Sequence, residues 1–249
     1  MSPSLEVTWI FVCGALASGL AARPEGLGLL AGWLAVDAAL GYVFRQLRAL
    51  KGPASAGQVD VASSRWQRLR DVATTAGPRA ISALTGSGVV LVLATYVGRQ
   101  SLLVAALGLF AGALTTLLTV DDRPALERVL AGLHVSAAWL MGHAALAPLN
   151  GASLGLALVA GLATYARRLP AARLGGARWL LRWAWALWLL ASIQGRQPLV
   201  TAVVAAGALA ELMNQGIDRD AAGWLTPVGQ RASWWAATVL VALASTRWG

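Results

Sequence analysis

An all-α integral membrane protein is the fold class this sequence predicts, and three observations carry the prediction. Hydrophobic residues fill 57% of the 249 positions. Charged residues fill only 12%, about half of the roughly 25% used by a soluble domain. Apolar runs of spanning length recur along the chain, separated by short polar turns. A chain so poor in charge cannot face water on all sides, so most of its surface meets lipid. A single membrane domain over residues 1–249 is expected.

A span needs about 20 mainly apolar residues. With charges, prolines and glycines as punctuation, about nine helices fall near 7–22, 26–44, 79–97, 101–120, 125–147, 151–166, 178–194, 197–213 and 230–247. Arg23-Pro24-Glu25 separates the first pair, Gly98-Arg99-Gln100 the third and fourth, and Asp121-Asp122-Arg123-Pro124 the fourth and fifth. Pro148-Leu149-Asn150-Gly151 is a turn signal. The first run lacks a basic segment before it and reads as a retained span rather than a signal peptide.

Orientation follows from charge. Of 20 Lys and Arg residues, only Arg23, Arg99, Arg196 and Arg247 fall on one side; the loops after the second, fourth, sixth and eighth helices take the rest. Basic loops stay in the cytoplasm, which places the N-terminus inside and the C-terminus outside. A multi-pass protein of a bacterial inner membrane, cytoplasmic or photosynthetic, is the expected location. The net charge of +9 serves this topology and anionic headgroups, so membrane lipids are expected partners and nucleic acid is not.

The longest loop, 45–78, is expected to be cytoplasmic, with a flexible Gly52–Gly57 linker. A short amphipathic interfacial helix near 61–73 follows, in which Trp66 sits among Arg65, Arg68 and Arg70. Glycine pairs at four-residue spacing, Gly28/Gly32, Gly108/Gly112 and Gly151/Gly155, would let helices approach closely. Four of the 12 tryptophans, Trp179, Trp183, Trp185 and Trp188, crowd the seventh helix. Trp179 suits the membrane interface, and the deeper pair reads as packing or lipid-facing.

Chemistry-bearing residues are few. The lone Cys13 forms no internal disulfide and reads as a packing residue. His134 and His143 fall on opposite faces of one helix, about 13 Å apart along it, so they cannot share a haem iron. Each is a candidate axial ligand for a pigment magnesium, against the simpler reading of a hydrogen-bonded histidine in the bundle. Asp37 is the one carboxylate deep in a span, where ionisable groups are costly and commonly functional. Glu211 reads as structural. No nucleophilic triad, phosphate loop, zinc pattern or dinucleotide fingerprint is present, and no metal site is expected.

Nine helices with a long inner loop after the second resemble the UbiA superfamily of membrane prenyltransferases. Trp9-Ile-Phe-Val-Cys-Gly-Ala-Leu-Ala-Ser-Gly19 is similar to the first helix of its chlorophyll-synthase branch. Ala76-Gly-Pro-Arg-Ala-Ile-Ser82 resembles the opening of the family's third helix, and Glu211 to Leu243 its final helix pair. The resemblance implies a UbiA-like bundle that transfers an isoprenoid from its diphosphate, with two aspartate-rich motifs holding magnesium.

Both motifs are degraded here. With Asp37 matched to the first aspartate of NDxxDxxxD, the other positions read Val36, Leu40 and Phe44. The second motif becomes Tyr165-Ala-Arg-Arg-Leu-Pro-Ala-Ala-Arg173, and no carboxylate lies between Glu127 and Glu211. Arg45, Arg48, Arg167, Arg168 and Arg173 would repel magnesium but attract a phosphate or anionic headgroup. The expected function is therefore a non-catalytic UbiA-like subunit that binds lipid, isoprenoid or pigment within a larger membrane complex. Expected ligands are (bacterio)chlorophyll, carotenoid, quinone or lipid; expected partners are other integral membrane proteins, with a photosynthetic assembly first in view. A prenyltransferase working with degenerate motifs, with Asp37 its surviving carboxylate, is the alternative. A quinone-reactive anchor or a transporter is a third.

Overall fold

Within lipid a backbone must satisfy its own hydrogen bonds, which a helix does inside one segment. The computed structural model follows that constraint: among the described residues every regular element is helical and there is no strand. The structure describes residues 3–18, 26–50, 65–118, 123–168 and 174–194, together with Thr201, Val204, Ala205, Ala208 and Thr238. Apart from those single positions, the expected eighth and ninth helices lie outside the described residues, as do the Gly52–Gly57 linker and Arg173.

The elements are α1 (Pro3–Ala17), α2 (Gly26–Trp33), a π-helical segment (Leu34–Leu40), α3 (Gly41–Leu50), α4 (Arg65–Val97), α5 (Arg99–Leu118), α6 (Arg123–Ala144), α7 (Gly151–Arg167) and α8 (Leu174–Gln194). Among the described residues three stretches are long and apolar enough to cross a membrane: Leu27–Leu50, Gly77–Val97 and Arg99–Leu118. On α5, Ser101, Val104, Ala105 and Gly112 face the bundle. Its other faces expose Leu103, Leu107, Phe110 and Leu117. A helix apolar all round needs lipid on its outer side.

Several hydroxyls in these helices are quenched locally. Ser87 donates to the carbonyl of Ala83, Thr116 to that of Gly112 and Thr164 to that of Ala160. Each polar group thereby enters an apolar medium with its bond made.

Several boundaries differ from expectation. Helix α1 is described to Ala17, where the Ser18 hydroxyl takes the Ala15 carbonyl at 2.6 Å, and positions 19–22 of the expected helix lie outside the described residues. The helix expected to end at 44 runs to Leu50, where Arg48 Nε donates back to the Phe44 carbonyl at 3.2 Å. The interfacial helix expected near 61–73 is not separate: residues 65–97 form one helix with Pro78 inside it. Pro78 stands where the apolar stretch begins and removes a single N–H. The Ala-, Arg- and Gln-bearing residues ahead of it are good helix formers.

Turns match the sequence more closely. Gly98 alone joins α4 to α5 with φ of 139°, a conformation that L side chains rarely adopt. Asn150 caps α7, its side chain accepting from Ser153 N–H at 2.8 Å. At that end of the bundle the two connections meet, since Leu149 N–H donates to Gln100 Oε1 at 2.6 Å. At the opposite end Arg79 reaches the Ala49 carbonyl and Arg168 pairs with Glu6 at 3.4 Å. Successive connections thus fall at alternate ends.

Helix α6 is the hub, packed chiefly by α1 and α7 and also by α5, α2, the π segment and α3. The closest approaches use glycines outside the expected pairs. A Cβ on Gly14 would strike the Trp139 carbonyl oxygen, and one on Gly142 would strike that of Phe11. On the other side, a Cβ on Gly132 would lie 2.8 Å from the Gly161 carbonyl oxygen. Of the expected pairs, Gly32 and Gly112 meet Phe11 and Phe44, whereas Gly28, Gly151 and Gly155 have open space. Trp185 and Trp188 are buried on α8 while Trp179 and Trp183 are exposed, which settles the deeper pair as packing residues.

Gly14→Leu should therefore lower stability by about 3 kcal/mol, since the facing group is backbone and cannot rotate away. Gly155→Ala should be neutral or stabilising, because it meets nothing and relieves a helix-interior glycine. Thermal unfolding in detergent, followed by tryptophan fluorescence, checks both; equal behaviour of the two variants would refute the backbone contact.

Candidate functional site

Seven residues, Leu34–Leu40, widen the second span into a π-helix. Such insertions cost hydrogen-bond geometry and concentrate at functional positions. Here the widened turn makes the Val36 carbonyl a shared acceptor. The Gly41 N–H donates to it, and His134 Nε2 approaches it at 2.8 Å from α6. A carbonyl only accepts, so Nε2 carries the ring proton. The Phe44 ring meets the His134 ring edge-on, with centroids 5.7 Å apart.

Above Gly41 the polar groups gather. A Cβ there would stand 3.1 Å from His134 Cε1 and 3.7 Å from Arg45 Nη1, so glycine leaves the room in which both side chains lie. Arg45 also acts electrostatically on Asp37, four residues before Gly41. Asp37 is half-buried, and its Oδ1 is shielded from solvent and meets no donor among the described residues. The Arg45 guanidinium, predicted separately, is thus a neighbour of the His134 imidazole over Gly41 and acts on the Asp37 carboxylate.

A second layer lies toward the end of the bundle. Arg48 on α3 feels the charges of Glu127 on α6, Arg168 at the end of α7, and Arg45. Arg168 in turn pairs with Glu6 of α1, both side chains being partly exposed. Arg167 is half-buried next to it. Four of the five predicted arginines therefore converge at one end, and Arg173 lies outside the described residues. Glu6, Glu127 and the buried Arg128 were missed as members of this end. Their only signal was a charge near a helix terminus, which reads as topology in the sequence.

His143 sits at the other end of α6, where its Nε2 approaches the Pro148 carbonyl at 3.2 Å. It braces the turn into α7 and is separate from the Asp37–Arg45–His134 group. Both histidines point Nε2 at a carbonyl, so neither offers that nitrogen to a pigment magnesium.

The magnesium implied by the family resemblance does not fit these residues. Among the described residues no three His, Cys, Asp or Glu side chains come together. The charges nearest Asp37 and His134 are arginines. Guanidinium groups bind phosphate oxygens directly, through paired N–H donors. The arrangement can hold an anion at the end of an apolar bundle; no proton-transfer or metal step follows from it. No family model matches this chain, and no curated protein and no solved structure matches it either.

Replacing His134 by Leu should cost on the order of 1–3 kcal/mol, the usual penalty for losing a buried hydrogen-bond partner. Faster amide exchange at Gly41 and the π segment should accompany it, read by exchange mass spectrometry. His134→Gln, which keeps a donor, should recover part of the protection. Unchanged exchange in His134→Leu would mean the π segment holds its form without α6.

Proposed function

We propose that this chain is a non-catalytic, UbiA-like membrane subunit that binds a lipid-tailed anion, a lipid or an isoprenoid phosphate, within a larger membrane complex. One observation carries the reading: Arg45, Arg48 and Arg168 gather around His134, with Asp37 within reach of Arg45 alone, where diphosphate chemistry with magnesium would need several carboxylates. Arginines neutralise a phosphate without an intervening ion. The apolar helices around them suit its tail. An isoprenoid or lipid is favoured over a pigment because the histidine Nε2 atoms are engaged with carbonyls.

In this reading the arginine-rich end faces the cytoplasm. The chain crosses the membrane about nine times in a bacterial inner membrane, N-terminus inside and C-terminus outside. The exposed apolar faces of α4 and α5 contact lipid or neighbouring membrane proteins of the complex.

Purification from native membranes in mild detergent, with mass spectrometry of retained lipids and proteins, should yield stoichiometric partners and a phosphate-bearing lipid. Titration with geranylgeranyl diphosphate should show binding that survives removal of divalent cations. Affinity should fall at least about tenfold in Arg48→Gln/Arg168→Gln, as expected for lost charge-assisted hydrogen bonds. Magnesium-stimulated prenyl transfer by the isolated chain, abolished by Asp37→Asn, would overturn the reading in favour of an active transferase. Reporter fusions at the two termini should place them on opposite sides of the membrane; both on one side would overturn the odd span number.

A further inference from the structure

A second feature borders the arginine cluster and shares Arg45 with it. An open groove with a cavity volume of about 610 Å³ runs between the π segment and α3 on one wall and α4 on the other. The walls are antiparallel. A Cβ on Gly86 would meet Val43 and Tyr42, and Arg79 reaches the Ala49 carbonyl. Leu34 and Leu93 therefore share one end of the groove, and Arg45, Ser82 and Thr85 share the other. Among the described residues Arg45 is the one charged residue lining it. The groove is apolar along its length and cationic with hydroxyls at one mouth.

Its dimensions match a lipid chain. Ser82 to Leu93 spans eleven helical rises, roughly 16 Å at about 1.5 Å each. That is about half of the ~30 Å hydrocarbon core of a bilayer, the depth of one leaflet. The Leu34 and Leu93 end lies past the middle of the spans Leu27–Leu50 and Gly77–Val97, so an occupant with its charge at Arg45 would carry its tail to the centre of the bilayer. Arg79, one turn beyond Ser82 toward the same end, adds positive charge at headgroup level, where an arginine attracts anionic lipid. A zwitterionic headgroup would bring its own cation into that field.

We infer that this groove is a binding site for one acyl chain of an anionic phospholipid from the leaflet at the Arg45 end, with the lipid phosphate held by Arg45. The assignment rests on the proposed phosphate-binding reading for Arg45, which the two share, and goes beyond it by placing the tail; neither Arg48 nor Arg168 lines the groove. Ala38, Thr85 and Val89 are exposed along it, so the lipid enters sideways from the bilayer and no helix has to move.

Native mass spectrometry of the delipidated full chain, titrated with phosphatidylglycerol and with phosphatidylcholine, tests this. One phosphatidylglycerol should bind, about tenfold tighter than phosphatidylcholine, and Arg45→Gln should remove that preference. Ala38→Phe, which fills the groove from an exposed position, should abolish the bound lipid. Should that variant fail to fold, Thr85→Phe fills the same space from the opposite wall. Arg48→Gln and the exposed Arg182→Gln on α8 should leave the stoichiometry and preference intact, which separates the groove from the Arg48–Arg168 pair. Equal affinity for the two lipids, or phosphatidylglycerol binding unchanged in Arg45→Gln or in the groove-filling variants, would overturn the assignment.

Discussion

Backbone-to-backbone contact between α1 and α6 is the constraint on which the rest of this structure depends. Lipid provides no hydrophobic force between helices, so association rests on close packing and a few hydrogen bonds. Gly14 and Gly142 let the two backbones touch with no side chain between them. The same helix meets α7 through Gly132 and Gly161, and Ser136 adds a hydroxyl bond to the Ala157 carbonyl at 2.9 Å. With α6 fixed from both sides, His134 is delivered to the π segment at a defined depth. The widened turn, its shared carbonyl and the placement of Arg45 all follow from that delivery.

The charge arrangement has its own logic. An arginine near the membrane boundary can extend toward water, and its long stem can lie along apolar wall. Arg45 instead lays its guanidinium back beside Gly41, and Arg48 folds back onto the Phe44 carbonyl. A carboxylate at the same positions would need a cation brought to it. Exchanging carboxylates for arginines changes the preferred guest from a metal–phosphate complex to a bare phosphate. Glu6 and Glu127 temper the repulsion among the arginines. The cluster can therefore hold together without a ligand.

The sequence was informative where one residue decides the backbone and silent where two distant surfaces must meet. Gly98 and the Asn150 turn were legible because backbone conformation and capping are local properties. The apolar runs marked most helix positions for the same reason. Pro78 and the arginines of 65–70 misled as punctuation, since a proline at the edge of an apolar stretch costs one hydrogen bond and leaves the helix intact. Glycine spacing along one helix did not reveal which glycines face another backbone, so Gly14 and Gly142 went unseen while Gly28 and Gly155 stood out. Asp37, His134 and Arg45 were each conspicuous as polar residues near or within apolar runs. Their meeting over Gly41 depends on a π turn that no apolar period encodes.

Pro78 has a mechanical consequence. Its ring nitrogen leaves the Thr74 carbonyl without an axial partner, so one rung is missing from an otherwise continuous α4. The helix is held against α3 from Arg79 onward and extends back to Arg65 ahead of it. That geometry is a cantilever with its soft point at the clamp. A load applied to the basic arm would bend α4 at Pro78 and spend itself there, leaving the buried turns beyond it undisturbed.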